Sequence, residues 1–265
     1  MLPLLNNRPL GHFMSTFLRY SFLSGLLALT FLLVPVKVAN ADELSTSQRA
    51  EINKMIEQYI MENPRVILEA VQRMQAQEEE DKLTRAKENL VAYREQLVND
   101  PRAPIGGNPD GDVTIVEFFD YRCGYCKRVS PTVERAVKED GNVRVVYKEF
   151  PILGPESVLA ARASLAIWRL APDKYMDFHK DLMDSRGGVS MGKIAAVAKK
   201  IGLDNDLLVK EMKSPEIDSD LRNNYELAQS LGISGTPAFI IGDELVPGAV
   251  DFDTLKNLIN QARGS

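Results

Sequence analysis

Cys123 and Cys126 are the only cysteines in 265 residues, and they stand two residues apart between runs of different periodicity. Upstream, Val113-Thr114-Ile115-Val116-Glu117-Phe118-Phe119 is rich in β-branched and aromatic residues and reads as a strand. Downstream, residues 125–137 have helical spacing, and Val143-Arg144-Val145-Val146-Tyr147 returns as a strand. Strand, crossover helix and parallel strand make a βαβ unit, so the chain is α/β and its cysteines fall where the first strand gives way to the helix.

The remainder extends that plan. From residue 156 to about 231 the pattern is helical, broken at Ala171-Pro172, Gly187-Gly188 and Ser214-Pro215, and the block 155–231 reads as a helical insertion. After it, Ala238-Phe239-Ile240-Ile241 and Glu244-Leu245-Val246 flank Gly242-Asp243, a hairpin signal, and residues 252–262 form a closing amphipathic helix. The α/β domain, with its helical insertion, is expected over 113–265.

Residues 42–100 carry helical periodicity and almost no β signal. Ser45 or Thr46 can cap a first helix through Ile52, Met55, Ile56, Tyr59 and Ile60, and Asn63-Pro64 opens a second. Along the second, Ile67, Val71 and Met74 form one stripe, and Leu83, Leu90 and Leu97 follow at intervals of seven beyond a charged stretch at 78–82. That spacing suits either a seam with another copy of the chain, through residues 44–98, or a helix lying on its own domain. The Pro- and Gly-rich residues 101–112 read as an irregular linker.

The N-terminus has the order of a secretory signal: Arg8 and Arg19, an apolar run over 22–34, then Ala39-Asn40-Ala41. A membrane-spanning helix needs roughly 20 apolar residues. This run is shorter, and Pro35 and Lys37 follow closely, so residues 1–41 are expected to be removed after Ala41 and the chain exported to the periplasm. With a formal net charge of -5 and mixed signs, nucleic acid is not an expected partner.

Export gives the two cysteines a meaning, because a lone Cys-x-x-Cys outside the cytosol is either structural or a working redox pair. A thiolate is the attacking species in disulfide exchange. Cys123 at the start of a helix meets the unpaired N–H groups and the positive dipole end that favour an anion. Cys126, one turn inside, suits a resolving thiol. Closed zinc sites take four Cys or His ligands, and beyond the two cysteines the mature chain has only His179, so no metal and no cofactor is expected. The same scarcity argues against a Cys-His hydrolase, and His179 reads as a partly packed residue of the insertion.

The stretch Glu117-Phe118-Phe119-Asp120-Tyr121-Arg122-Cys123-Gly124-Tyr125-Cys126, with Lys148-Glu149-Phe150-Pro151 and Gly232-Ile233-Ser234-Gly235-Thr236-Pro237-Ala238, resembles the DsbA-like branch of the thioredoxin superfamily over about residues 108–264. The resemblance implies a thioredoxin-like fold with an inserted helical subdomain, a cis Pro237 facing the cysteines, and a Thr236 backbone that pairs with a substrate strand. Gly124 and Tyr125, between the sulfurs, join Thr236 and Pro237 as candidate substrate-binding residues. Glu117 matches the acidic residue beneath the family's active site, where it would pass a proton to Cys126; otherwise it is a solvent-facing strand residue, and Lys148 could pair with it. Ser47-Gln48-Arg49-Ala50-Glu51-Ile52 and Tyr59-Ile60-Met61-Glu62-Asn63-Pro64 resemble the N-terminal arm of the suppressor of copper sensitivity C proteins, in which the arm can mediate oligomers.

These features imply a protein disulfide oxidoreductase acting on thiols and disulfides of exported clients and recycled by a membrane redox partner. Gly124-Tyr125 with Thr236 is similar to the pattern of DsbC-type isomerases, which favours isomerase or reductase activity over that of a primary DsbA-type dithiol oxidase. A competing class is a copper- or client-binding module, with Met55, Met61, Met74, Met176, Met183, Met191 and Met212 as thioether ligands. They show no tight clustering, so core packing is the better account.

Overall fold

The computed structural model describes residues 44–264, so the expected signal segment and its cleavage site lie outside the described residues. The chain divides after Pro64. The first unit contains helix α1 (Thr46–Glu62), opened by a capping box: the Ser45 hydroxyl accepts the Gln48 N–H at 3.3 Å, and the Gln48 side chain accepts the Ser45 N–H at 2.9 Å. Its apolar residues Met55, Ile56 and Tyr59 are exposed.

The second unit opens with α2 (Arg65–Ala92), which starts one residue after Pro64, and α3 (Arg94–Val98). Then come β1 (Ile105–Gly107), β2 (Val113–Phe119), α4 (Gly124–Asp140) and β3 (Val143–Glu149). The insertion consists of α5 (Pro155–Leu170), a 3-10 turn, α6 (Tyr175–Asp184), α7 (Met191–Lys200), α8 (Asn205–Glu211) and α9 (Pro215–Ser230). The hairpin β4 (Ala238–Ile241) and β5 (Glu244–Pro247) and helix α10 (Phe252–Arg263) complete the chain. Among the described residues no helix is long and apolar enough to cross a membrane.

The strands form one sheet in the order β1-β3-β2-β4-β5, in which β2 and β3 are parallel and the other neighbours antiparallel. Successive strand residues point to opposite faces. Ile115 and Phe119 of β2 therefore join α4 and α10 in one core, whereas Val116 and Phe118 join α9 and the end of α2 in the other. Both faces of β2 are covered, which is why its sequence is nearly continuously apolar.

One sequence expectation changes here. Residues 101–112 are not irregular throughout, because β1 lies within them and pairs with Arg144, Val145 and Val146 of β3. The pairing is dictated by the open edge of β3. Gly107 permits the close approach: it has φ 70, and a Cβ there would sit 2.3 Å from the Val143 carbonyl oxygen.

For the last two leucines of the heptad spacing, the second of the two readings holds. Leu90 and Leu97 are buried beside Val116, Phe118 and Leu231, and Leu83 is exposed. The end of the arm thus belongs to the core of the sheet-bearing unit, since helices gain most of their stability by burying an apolar face, here on the uncovered sheet face. Leu97→Ala is accordingly expected to lower unfolding free energy by about 2–5 kcal/mol in urea titrations. Leu83→Ala should change it by less than about 0.5 kcal/mol.

Candidate active site

The first link is the turn from β2 into α4. Asp120, buried, accepts the Arg122 N–H through Oδ1 at 2.8 Å, and through Oδ2 the N–H groups of Ile152 and Leu153 at 3.0 and 3.1 Å. One carboxylate thus joins the turn before the cysteines to the loop after β3. Cys123 is the N-cap of α4, with the extended backbone of that position and no side-chain capping bond. It lies at the helix end whose first N–H groups lack helical acceptors. Inside α4, Cys126, Val129, Val133 and Ala136 face the core at helical spacing, and Gly141 in the left-handed conformation ends the helix.

Both thiols are reduced and buried. The Cys123 thiol donates to the Thr236 carbonyl oxygen at 3.1 Å, and the Thr236–Pro237 peptide bond is cis. The structure therefore brings together across 113 residues the sites singled out in sequence. Gly124 and Tyr125 are exposed beside the pair. The Arg128 guanidinium lies 4.6 Å from the centre of the Tyr125 ring, bringing to this dipeptide a cation that its own residues lack. Cys126 is wholly buried, and that burial, with Glu117 and Cys123 nearby, pushes its thiol well above the ordinary range despite partial relief from Asp120 and Thr236.

Glu117 is 2% exposed, and burial pushes its carboxyl up to about 8. The solvent-facing alternative for this residue is thereby excluded. It borders a cavity of about 500 Å³ that also touches Tyr147, His179 and Met176. Lys148 does not pair with it. Glu117 is in register with Tyr147, so Lys148, the next residue on β3, points to the other face, where its ammonium meets Asp100 at 2.8 Å. His179 is fully packed rather than partly so: its Nδ1 lies 2.9 Å from the Tyr121 hydroxyl, which also bonds Ser164 at 2.8 Å. Burial pulls His179 down to about 3, so the ring is neutral. Of the methionines considered as thioether ligands, Met183 and Met212 are buried in the core.

The sequence reading assigned no role to Asp120, Tyr121 or Arg128. Only their adjacence to the cysteine motif marked them.

A sheet with a reduced cysteine pair at the mouth of a helix, facing the carbonyl that precedes a cis proline, defines the class of thioredoxin-like thiol–disulfide oxidoreductases. Residues 114–260 match the DSBA-like thioredoxin domain, and the chain belongs to that family. Residues 48–80 match the copper resistance protein ScsC N-terminal domain. A thioredoxin-like oxidoreductase from Silicibacter pomeroyi DSS-3 is 45% identical, with a TM-score of 0.62 over 65% of this chain and 98% of that one. A linker-deletion mutant of Proteus mirabilis ScsC is 28% identical with a TM-score of 0.64, covering 84% of this chain and 99% of that one. Disulfide bond formation protein D of Bacillus subtilis (strain 168) is 27% identical over 168 residues, 60% of this chain and 76% of that protein.

Proposed function

We propose that the protein rearranges and reduces disulfides of exported proteins in the periplasm, with Cys123 as nucleophile, Cys126 as resolving thiol and Glu117 as the base that takes the Cys126 proton. The observation that carries this reading is the placement of Cys123 against the Thr236 carbonyl, with Cys126 and Glu117 buried behind it. The Cys123 thiolate attacks a client disulfide; one client sulfur joins Cys123 and the other leaves as a thiolate. A second client thiolate can then displace Cys123, which moves a disulfide with no net transfer of electrons. Alternatively, Cys126 gives its proton to Glu117 and attacks Cys123. The Cys123–Cys126 disulfide forms and two electrons pass to the client, which leaves reduced.

Burial supports the isomerase direction. A Cys126 thiol held protonated resolves the mixed disulfide slowly, leaving time for client thiols to rearrange. Thr236 and Pro237 offer backbone and a flat ring to an extended client strand, with Gly124 and Tyr125 on its other side. A membrane redox partner would restore the working state of the pair, and the arm would bring copies together. The primary-oxidase reading is favoured by one observation, the likeness to a protein named for disulfide bond formation. Scrambled ribonuclease in a glutathione buffer separates the two: recovery of ribonuclease activity without added oxidant supports isomerisation, and turnover only of reduced ribonuclease supports the oxidase.

Glu117→Gln is expected to slow resolution by about 10²-fold while leaving the first attack by Cys123 close to wild type. The carboxylate form of Glu117 grows as pH approaches about 8, so the wild-type resolution rate should rise with pH and level off above that value. Stopped-flow release of a labelled peptide from its mixed disulfide checks both points. A variant that keeps the same inflection removes Glu117 from the mechanism.

A further inference from the structure

Two side chains flank the cysteine motif, Arg122 before Cys123 and Lys127 after Cys126; Lys127 reaches a loop of the helical insertion directly, and Arg122 reaches it through Glu156. The Lys127 ammonium donates to the carbonyl oxygens of Leu182 at 3.0 Å, Met183 at 2.9 Å and Ser185 at 2.9 Å. These lie at the C-terminal end of α6, where carbonyls lack helical donors and a cation is favoured. All three ammonium donors are thereby used. On the other side, Arg122 Nε is 3.0 Å from Glu156 Oε2, and that same oxygen accepts the Val189 N–H at 3.2 Å. The loop 185–189 is thus held at its first residue by the neighbour of one cysteine and at its last, through Glu156, by the neighbour of the other.

The loop is also braced from within. Lys193 donates to the carbonyl oxygens of Arg186 at 2.6 Å and Gly188 at 2.8 Å. Its tip, Arg186-Gly187-Gly188, stays exposed. Arg122 reaches a second segment as well, donating from Nη1 to the Leu153 carbonyl at 3.0 Å, and the Leu153 side chain is exposed. Arg122 and Glu156 are each partly exposed, and ion pairs of that kind add little to stability. Their effect is geometric: they tie the loop to the turn that carries Cys123.

We propose that Arg122, Lys127 and Glu156 are positioning residues that lock the loop 185–189 to the cysteine motif as a wall for protein clients, a reading that rests on the client exchange proposed above. An extended, unfolded polypeptide with its disulfide at Cys123 is broad enough to meet the wall, whereas a small disulfide such as oxidised glutathione needs only the sulfur. The locks therefore affect selection of large over small substrates rather than exchange itself.

The test measures, with the protein reduced beforehand, the second-order rate constants for single-turnover reaction with scrambled ribonuclease and with oxidised glutathione, for the full chain and for Lys127→Met, Lys127→Arg and Glu156→Ala. In Lys127→Met and Glu156→Ala the ratio of the two constants, client over glutathione, should fall about tenfold. Lys127→Arg, which keeps a charge with several donors, should hold it within about threefold of wild type. Should Lys127→Met fail to fold, as judged by its near-ultraviolet dichroism, the partly exposed Glu156→Ala decides the matter alone. A ratio that stays at the wild-type value in Glu156→Ala overturns the proposal, whether both constants fall together or neither changes. Failure of the wild-type chain to exchange with either substrate overturns the proposed function itself, and this proposal with it.

Discussion

Cys126→Ser is expected to turn the protein into a covalent trap: incubated with a disulfide-bonded unfolded client, it should accumulate a mixed disulfide through Cys123 that runs as one band on a non-reducing gel and disappears with dithiothreitol. The reason lies in the arrangement of the two sulfurs. Cys123 stands at the helix mouth against the Thr236 carbonyl, where a client strand would lie, whereas Cys126 is sealed in the core behind it. Serine in place of Cys126 keeps the shape of the buried position but cannot attack the Cys123–client bond, so the intermediate has no internal exit. Cys123→Ser should drop exchange to the uncatalysed level and form no adduct, because the buried thiol is neither accessible nor readily ionised. A client adduct on Cys126 in the Cys123→Ser protein would reverse the assignment of roles. No adduct with either variant would leave the cysteine pair without the proposed function.

A second large effect concerns stability and pH. Glu117 titrates at about 8 in the folded protein against an ordinary value of 4.5. Below 4.5 the carboxyl is protonated in both states and makes no difference. Between 4.5 and 8 the unfolded chain ionises while the folded one keeps its proton, so folding binds more protons and stability falls as pH rises. The slope is about 1.4 kcal/mol per pH unit and the loss levels off at about 5 kcal/mol above pH 8.

His179 acts in the opposite direction, from 6.5 in the unfolded chain to about 3 when folded. Its neutral, buried ring adds nothing above 6.5, and stability is lost as pH falls from there toward 3 with a slope of similar size. Glu149, also pushed up by burial, adds a loss of the same sign as Glu117.

Guanidinium titrations of wild type and Glu117→Gln at a series of pH values should therefore agree near pH 4, apart from a constant packing offset. The variant should gain steadily on wild type up to pH 8. In His179→Gln, which keeps an acceptor for the Tyr121 hydroxyl, the gain over wild type should instead grow as pH falls below 6.5. Differences that stay constant with pH would show that these groups are not held in the protonation states their burial dictates. In the proposed mechanism this cost in stability would accompany a function for Glu117, since a carboxyl that titrates near neutral pH can both take and return a proton.

Much of this site could be read along the chain, and the parts that could differ in kind from the parts that could not. The strand ending at Phe119, the cysteine at the helix start, the Gly242-Asp243 hairpin and the helical breaks at Ala171-Pro172 and Ser214-Pro215 are local matters. They are set by side-chain period, by turn chemistry and by capping, all of which act within a few residues, and the structure has them where the pattern predicts. The Ser45 cap of α1 is of the same kind.

What residues meet across the fold was settled elsewhere. Lys148 turned to Asp100 because register with β2 assigns neighbouring positions of β3 to opposite faces, which no spacing along one strand reveals. Leu90 and Leu97 had the period of a seam between copies, yet an uncovered sheet face of the same chain was the nearer place to bury them. Ile105–Gly107 became a strand because the edge of β3 had hydrogen-bonding groups to satisfy, although two of its three residues are glycine. The sequence alone determined that a cysteine would stand at the mouth of a helix. Tertiary structure alone decided that its sulfur would face the carbonyl of Thr236, and that Glu117 would be stripped of water, because burial and contact at long range are properties of packed layers.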